Sequence, residues 1–292
     1  MSVLVSEERH PGTLPVQHMA LGHHAFLCYD GDSPGWDVLA AFVWTGLARG
    51  EKVIVLGPPE LTEAQVAARL QQAPGLLVAS GYERAQLELS SMRELIMPTR
   101  TFTADRQWQR IVEETEAARA EGYAGLRTYI DMGWVAALGA DFDTMMDRER
   151  RAGHLFDSGF YSEICAYDRR RFPEPVLDAM CRAHPQNLLP ALGALRCRRD
   201  GATLAVIGEA GAATYERFAE ALDGLLRAPL PDGTATVDLL RAGFLGAECA
   251  SALVRALDGA GARRPLRIRC SAGHALLLRR LGADPSVLDV AR

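Results

Sequence analysis

Apolar residues recur along the chain in two alternating rhythms. Short apolar runs bounded by Gly, Pro or charged residues read as buried strands. Stretches with apolar positions three and four apart read as amphipathic helices. The first run is His24-Ala-Phe-Leu-Cys-Tyr29, closed by the turn-rich Asp30-Gly-Asp-Ser-Pro-Gly35. A helix is predicted over 36–49, with Val38, Leu39, Phe42, Val43 and Leu47 on its apolar side and Gly50 stopping it. Lys52-Val-Ile-Val-Leu56 is a strand by its length and β-branching. The same rhythm predicts helices over 61–72, 105–121, 142–156 and 175–183, and strands over 86–90, 125–130 and 160–167. Strands that alternate with helices need crossover connections, so the pattern implies a largely parallel sheet covered on both faces.

The rhythm breaks over 185–200, where Pro185, Pro190, Gly193 and three arginines gather, and then restarts on a shorter beat. Strands predicted over 203–207, 234–239 and 266–270 alternate with helices over 214–227, 247–260 and 275–281. The chain therefore reads as α/β in two domains. A polar, proline-bearing tail covers 1–17 and a first domain 18–189. A linker over 190–200 leads to a smaller domain over 201–292. The length, 292 residues, fits two domains of ordinary size.

The net charge of -5 argues against a nucleic-acid partner, which needs a clustered basic surface. The basic runs are short (Arg169-Arg170-Arg171, Arg196 with Arg198-Arg199, and Arg263-Arg264) and read as solvated loops. Six cysteines, Cys28, Cys165, Cys181, Cys197, Cys249 and Cys270, are scattered without a CxxC pair, which suits reduced thiols. The opening residues lack the apolar stretch of a secretion signal, and no apolar run approaches the ~18 residues of a membrane span. The expectation is a cytoplasmic protein with no membrane partner.

In the second domain, Leu204-Ala-Val-Ile-Gly-Glu209 is followed by Thr214, by Thr236-Val-Asp-Leu-Leu240 with Gly243-Phe-Leu-Gly-Ala-Glu248, and by Cys270-Ser-Ala-Gly-His274 with Leu281-Gly-Ala-Asp284. In this order the motifs resemble the STAS domain of anti-sigma factor antagonists over about 201–290. The resemblance implies a protein-interaction domain in a partner-switching network that controls transcription, with an anti-sigma factor or kinase as partner. The family has an acidic residue after its Phe-Leu and a phosphorylatable Ser two residues on. This chain has Gly246 and Glu248 there. Glutamate cannot accept a phosphate, but it places a permanent charge near a helix start, where the dipole favours an anion. That substitution reads either as a locked, phosphate-like surface or as a diverged domain that kept only its fold. Ser251 lies a turn further on and does not replace the missing Ser. Gly246, Glu248 and Ser251 mark the candidate partner surface. The Gly208-Glu-Ala-Gly211 turn lacks the ending of a phosphate loop.

The first domain carries Gly22-His-His24 leading into Cys28-Tyr29, then Gly46-Leu-Ala-Arg-Gly-Glu-Lys52, Glu121-Gly-Tyr-Ala-Gly-Leu-Arg127, Cys165-Ala-Tyr-Asp-Arg-Arg-Arg-Phe172 and His184-Pro185. These motifs resemble MEDS, a sensory domain named from methanogens and methylotrophs, over about 18–189. The resemblance implies a RecA-like fold that binds a small, hydrocarbon-like ligand and passes the signal to an attached output domain. A RecA-like scaffold raises nucleotide hydrolysis as an alternative. The loop over 30–36, however, has no Lys to reach phosphates, and its Asp30 and Asp32 would repel them. A sensor without catalytic residues or cofactor is expected.

The candidate ligand-binding residues are His24, Cys28, Tyr29, Arg127, Glu149, Cys165, Tyr167 and His184. Glu149 lies seven, four and three residues beyond Phe142, Met145 and Met146, which puts it on the apolar face of its helix. A carboxylate facing a core needs a partner, and Arg127 on the preceding strand is the expected one. His24, Cys28, Cys165 and His184 offer zinc-type donors, but none has the short spacing of a structural zinc site, so they are read as core or pocket-lining groups and not as metal ligands. His24 and Cys28 share a strand face yet lie roughly 13 Å apart, too far for a catalytic pair.

Overall fold

The structure is a computed structural model that describes residues 12–30, 34–72, 85–92, 103–137, 142–228, 233–260 and 265–291. It divides into two compact units, Met1–Leu192 and Gly193–Arg292.

The first unit runs β1 (Gly12–Leu14), β2 (His24–Tyr29), α1 (Pro34–Ala48), β3 (Lys52–Leu56), α2 (Glu63–Gln72) and β4 (Leu87–Ser90). It continues with α3 (Ala104–Ala120), β5 (Leu126–Asp131), α4 (Trp134–Ala137), α5 (Phe142–Arg151), β6 (Tyr161–Asp168), α6 (Glu174–Ala183) and β7 (Gln186–Leu188). The strands form a seven-stranded sheet in the order β1-β7-β2-β6-β5-β3-β4, and every pairing is parallel.

All residues of β3, β5 and β6 are buried, as expected for strands packed on both faces. Alternation then sorts each strand. Leu27, Val53, Val55, Tyr129 and Ile164 face α1 and α2. Phe26, Ile54, Ile130, Cys165 and Tyr167 face the opposite core, which includes Trp108 of α3, Met145 of α5 and Met180 of α6. Helix α3 starts where the Thr103 side chain accepts a hydrogen bond from the Arg106 N–H.

Three expectations change here. The tail is not loose through residue 17: β1 adds to the sheet edge beside β7, and Leu14 and Val16 are buried in the core. The helix expected over 142–156 stops at Arg151 and tightens into a 3-10 turn, Ala152–Leu155, around Gly153. The segment 190–200 is not a linker throughout, because Leu195–Asp200 is strand β8 of the second unit. Its buried Leu195 and its ladder to the next strand offset the helix-breaking residues before it.

The second unit continues with β9 (Thr203–Ala210), α7 (Tyr215–Arg227), β10 (Ala235–Leu245), α8 (Ala247–Ala260), β11 (Leu266–Cys270), α9 (Ala272–Arg280) and β12 (Leu288–Val290). The five strands lie in the order β12-β11-β10-β9-β8. β8 and β9 form an antiparallel hairpin and the rest are parallel. β11 alternates cleanly, with Leu266, Ile268 and Cys270 buried and Arg267 and Arg269 exposed. The buried side packs on Phe218, Leu253 and Leu278 of the three helices. β9 and β10 run longer than expected, because two register shifts in β10 let it bend and stay paired through Leu245. Among the described residues no helix is long and apolar enough to cross a membrane.

Candidate functional site

Register brings the polar groups of the first unit together. His24 on β2 stands opposite Glu163 on β6, and Glu163 stands opposite Thr128 on β5. All three therefore lie in one row across the sheet, on the face covered by α3, α5 and α6. Helix α5 lowers Arg148 and Glu149 onto that row beside Met145, at helical spacing. His184 follows the last turn of α6, where its Nδ1 lies 2.7 Å from the Met180 carbonyl oxygen.

The result is a buried ionic cluster. Arg148 donates to Glu149 Oε1 at 2.5 Å, to both oxygens of Glu163 at 2.9 and 3.1 Å, and to Gln107 of α3 at 3.1 Å. Tyr161 donates to Glu163 at 2.5 Å and lies 2.6 Å from the Thr128 hydroxyl. His24 Nε2 sits 3.1 Å from Glu149 Oε2 and 3.4 Å from Glu163 Oε1, and His184 Nε2 sits 3.3 Å from Glu149 Oε2. Cys165 Sγ lies 3.6 Å from His24 Nε2 and donates to Glu163 at 3.1 Å. The His24 ring stacks on Phe156 at 4.6 Å.

Charge states follow from these neighbours. Burial opposes ionisation of Glu149, but Arg148, His184 and His24 outweigh it and hold the carboxyl down at about 2. Arg148 and His24 likewise hold Glu163 well below the usual carboxylate range against its burial. Burial disfavours a charged His24, yet its two carboxylate partners win and raise it. Burial, and then the His24 charge, push His184 down to about 4. Burial, reinforced by both carboxylates, pushes the Cys165 thiol well up.

Of the expected site residues, His24, Glu149, Cys165 and His184 meet here, and Tyr167 packs at the cluster's edge, its ring 6.4 Å from that of His184. The expected Arg127–Glu149 pair does not form. Arg127 points to the other face of the sheet, because Leu126 and Thr128 take the cluster's face and strand residues alternate. Arg127 is fully buried against Phe42, with the Glu51 carboxylate as its partner. Glu149 takes its charge partner from its own helix neighbour, Arg148. Sequence reasoning missed Arg148 and Glu163. Both carried a signal: Arg148 is three residues from Met145, and Glu163 is two residues from Cys165 on the same strand face.

Tyr29 belongs to a second place, at the carboxyl ends of β2, β5 and β6. There a cavity of about 160 Å³ opens beside Trp36, Leu61, Asp131, Asp168 and Arg171. The Tyr29 hydroxyl donates to Asp131 Oδ2 at 2.6 Å, and the Gly133 N–H donates to Oδ1 at 2.9 Å. Burial, only partly offset by those two bonds, pushes Asp131 up to about 6. Burial, and then Asp131, push Tyr29 upward too. Arg170 and Arg171 are tied to Asp168, and Arg171 also to Glu60, so this exposed basic turn also frames the cavity. Cys28 is half-buried on the cluster's strand face, beside Arg169 and Asp168 and outside the cluster. Residues 31–33, which hold Asp32, lie outside the described residues.

In the second unit, Glu248 and Ser251 line an open groove with Tyr215 and Arg255. Gly246 precedes them, and its N–H donates to the Ala210 carbonyl at 2.7 Å. A Cβ there would lie 3.1 Å from the Gly211 backbone, so the close approach of two turns explains why glycine stands at this position.

The first unit is thus a parallel α/β domain with a buried ionic cluster and a cavity at its carboxyl edge. The chain belongs to the MEDS family, the methanogen/methylotroph DcmR sensory domain, whose pattern matches residues 23–185. No curated protein matches the sequence. Among solved structures, the flagellar accessory protein FlaH from Methanocaldococcus jannaschii is similar at a TM-score of 0.41 and 12% identity, over 65% of this chain and 80% of that one.

Proposed function

We propose that this sensory protein binds a small organic molecule in the cavity at the carboxyl edge of its first sheet and signals through its second unit. The cavity carries this reading. Open parallel α/β sheets take ligands beyond the carboxyl ends of their strands. Here that place holds an aromatic and aliphatic wall (Tyr29, Trp36, Leu39, Leu61) facing a polar rim of Asp131, Asp168 and Arg171. Such a lining suits a compact apolar molecule with one polar group. Among the described residues the lining holds no lysine for a phosphate chain, so we favour binding over nucleotide turnover.

A STAS-like role for the second unit is supported by its motif order and by its small five-stranded sheet. On that reading the Glu248–Ser251 groove receives a protein partner such as an anti-sigma factor, and Glu248 is not phosphorylated by a serine kinase.

Native mass spectrometry of freshly purified full-length protein tests the ligand reading. A small organic molecule is expected to be retained, and to be lost in Tyr29→Phe and Trp36→Ala variants that keep native circular dichroism. Retention unchanged in both variants would place the ligand elsewhere.

A further inference from the structure

We propose that His24 Nε2, His184 Nε2, Cys165 Sγ and a Glu149 carboxylate oxygen form a closed four-coordinate site for a divalent transition metal of the zinc class. These four atoms lie within 4.8 Å of one another, and all four residues are buried. Three of the separations are 3.1, 3.3 and 3.6 Å. Bonds of roughly 2.0–2.3 Å place the ligands of a tetrahedral zinc about 3.3–3.7 Å apart. Two imidazoles, a thiol and a carboxylate are the donor set a borderline-soft divalent ion selects.

A second observation is independent of the spacing. His184 Nε2 is fully buried without a hydrogen-bond partner among the described residues, and it is aimed at Glu149 Oε2. The Met180 carbonyl can only accept, so the imidazole hydrogen of His184 sits on Nδ1. In the neutral ring, the Nε2 lone pair then faces a carboxylate oxygen 3.3 Å away. A buried lone pair aimed at a carboxylate oxygen is a place that a cation, bound to both, would satisfy.

The surroundings fit as well. Metal-binding histidines commonly donate their other N–H to a backbone carbonyl, as His184 does, and ligating carboxylates are held from outside. Arg148 holds Glu149 Oε1 and leaves Oε2 pointing inward. Charge also balances. One guanidinium faces two carboxylates, Glu149 and Glu163. With His24 neutral as a ligand, a divalent ion and the Cys165 thiolate add two positive charges and one negative, and the cluster closes neutral. On loading, the Cys165 S–H bond breaks, its proton and any proton on His24 pass to solvent, and the sulfur–metal bond forms with no change of oxidation state. The ligands come from β2, α5, β6 and the end of α6. Long separation in sequence is therefore expected, and the fold supplies the proximity that a short motif supplies elsewhere.

The site is distinct from the cavity at the carboxyl edge, so it stands or falls separately from the ligand reading. The test uses the untagged full chain, purified without chelator, with elemental analysis and native mass. About one equivalent of metal is expected. After chelation, added Zn²⁺ should rebind and raise the melting temperature, and Co²⁺ should give tetrahedral d–d bands with a thiolate charge-transfer band. Cys165→Ser should abolish the charge-transfer band. It should also weaken Zn²⁺ binding by at least the roughly 10–100-fold that loss of a supporting group costs, while Cys249→Ser in the second unit changes neither. Native wild-type protein that holds no metal and takes up neither Zn²⁺ nor Co²⁺ would overturn the proposal. So would binding that survives both Cys165→Ser and His184→Gln.

Discussion

At the scale of single residues, the first domain keeps two charged groups on opposite faces of one sheet, each with a different partner. Arg127 is fully buried with Glu51. Its neighbourhood is tight enough that a Cβ on Gly46 would lie 2.9 Å from the arginine Cδ. Glu51→Ala should therefore cost about 3–5 kcal/mol in denaturant unfolding, because it strands the guanidinium, and replacing both residues with apolar ones should cost less. Asp131 sets a pH dependence. Its carboxyl is pushed up to about 6 from an unfolded value near 3.8, so the folded state holds the proton more tightly. The stability this confers is complete below about pH 3.8 and is lost as pH rises to about 6. Asp131→Asn should remove that slope. Wild type should lose on the order of 2–3 kcal/mol relative to the variant across the interval, as read from urea midpoints at stepped pH.

At the scale of elements, close packing decides which residues the turns accept. Gly246→Asp restores the acidic residue of the STAS pattern, but it sets a Cβ 3.1 Å from the Gly211 backbone. The second unit should lose about 1–3 kcal/mol through overpacking, visible as a lower melting temperature. Most strands and helices were legible from period alone, because β3, β5 and β6 are short runs dominated by apolar and β-branched residues and α5 shows its stripe. The helical phase of Glu149 correctly buried it. Its partner was misread because parity on β5 was not followed from Leu126 to Arg127. Glu163 stayed hidden because a carboxylate inside an apolar strand looks like an edge residue until register shows His24 and Thr128 on either side. β1 and β8 were hidden for a different reason. Gly12-Thr-Leu14 and Leu195-Arg-Cys-Arg-Arg-Asp200 have little apolar periodicity, and their strand form comes from pairing with β7 and β9.

At the scale of the whole molecule, each unit has its own core. Val55 and Ile164 lie inside the first, and Val237 and Ile268 inside the second. Fragments covering 1–192 and 193–292 should each fold with a cooperative thermal transition. A fragment starting at 201, which lacks β8, should be less stable than one starting at 193. Differential scanning calorimetry of the three fragments checks both expectations, and equal midpoints for the two shorter ones would count against β8 as a structural strand.

The sheet order has a consequence during synthesis. β7 stands between β1 and β2, so Gly12–Leu14 has no strand beside it until Gln186–Leu188 exists. At translation rates of roughly 5–20 residues per second, that gap lasts about 10–35 s. For that time Gly12–Leu14 is a short segment without its sheet neighbour, open to chaperones. Pairing across such a long stretch of chain is also slow to form. The first described strand of this sheet is thus among the last to find its place, and the first domain closes only as the second begins to emerge.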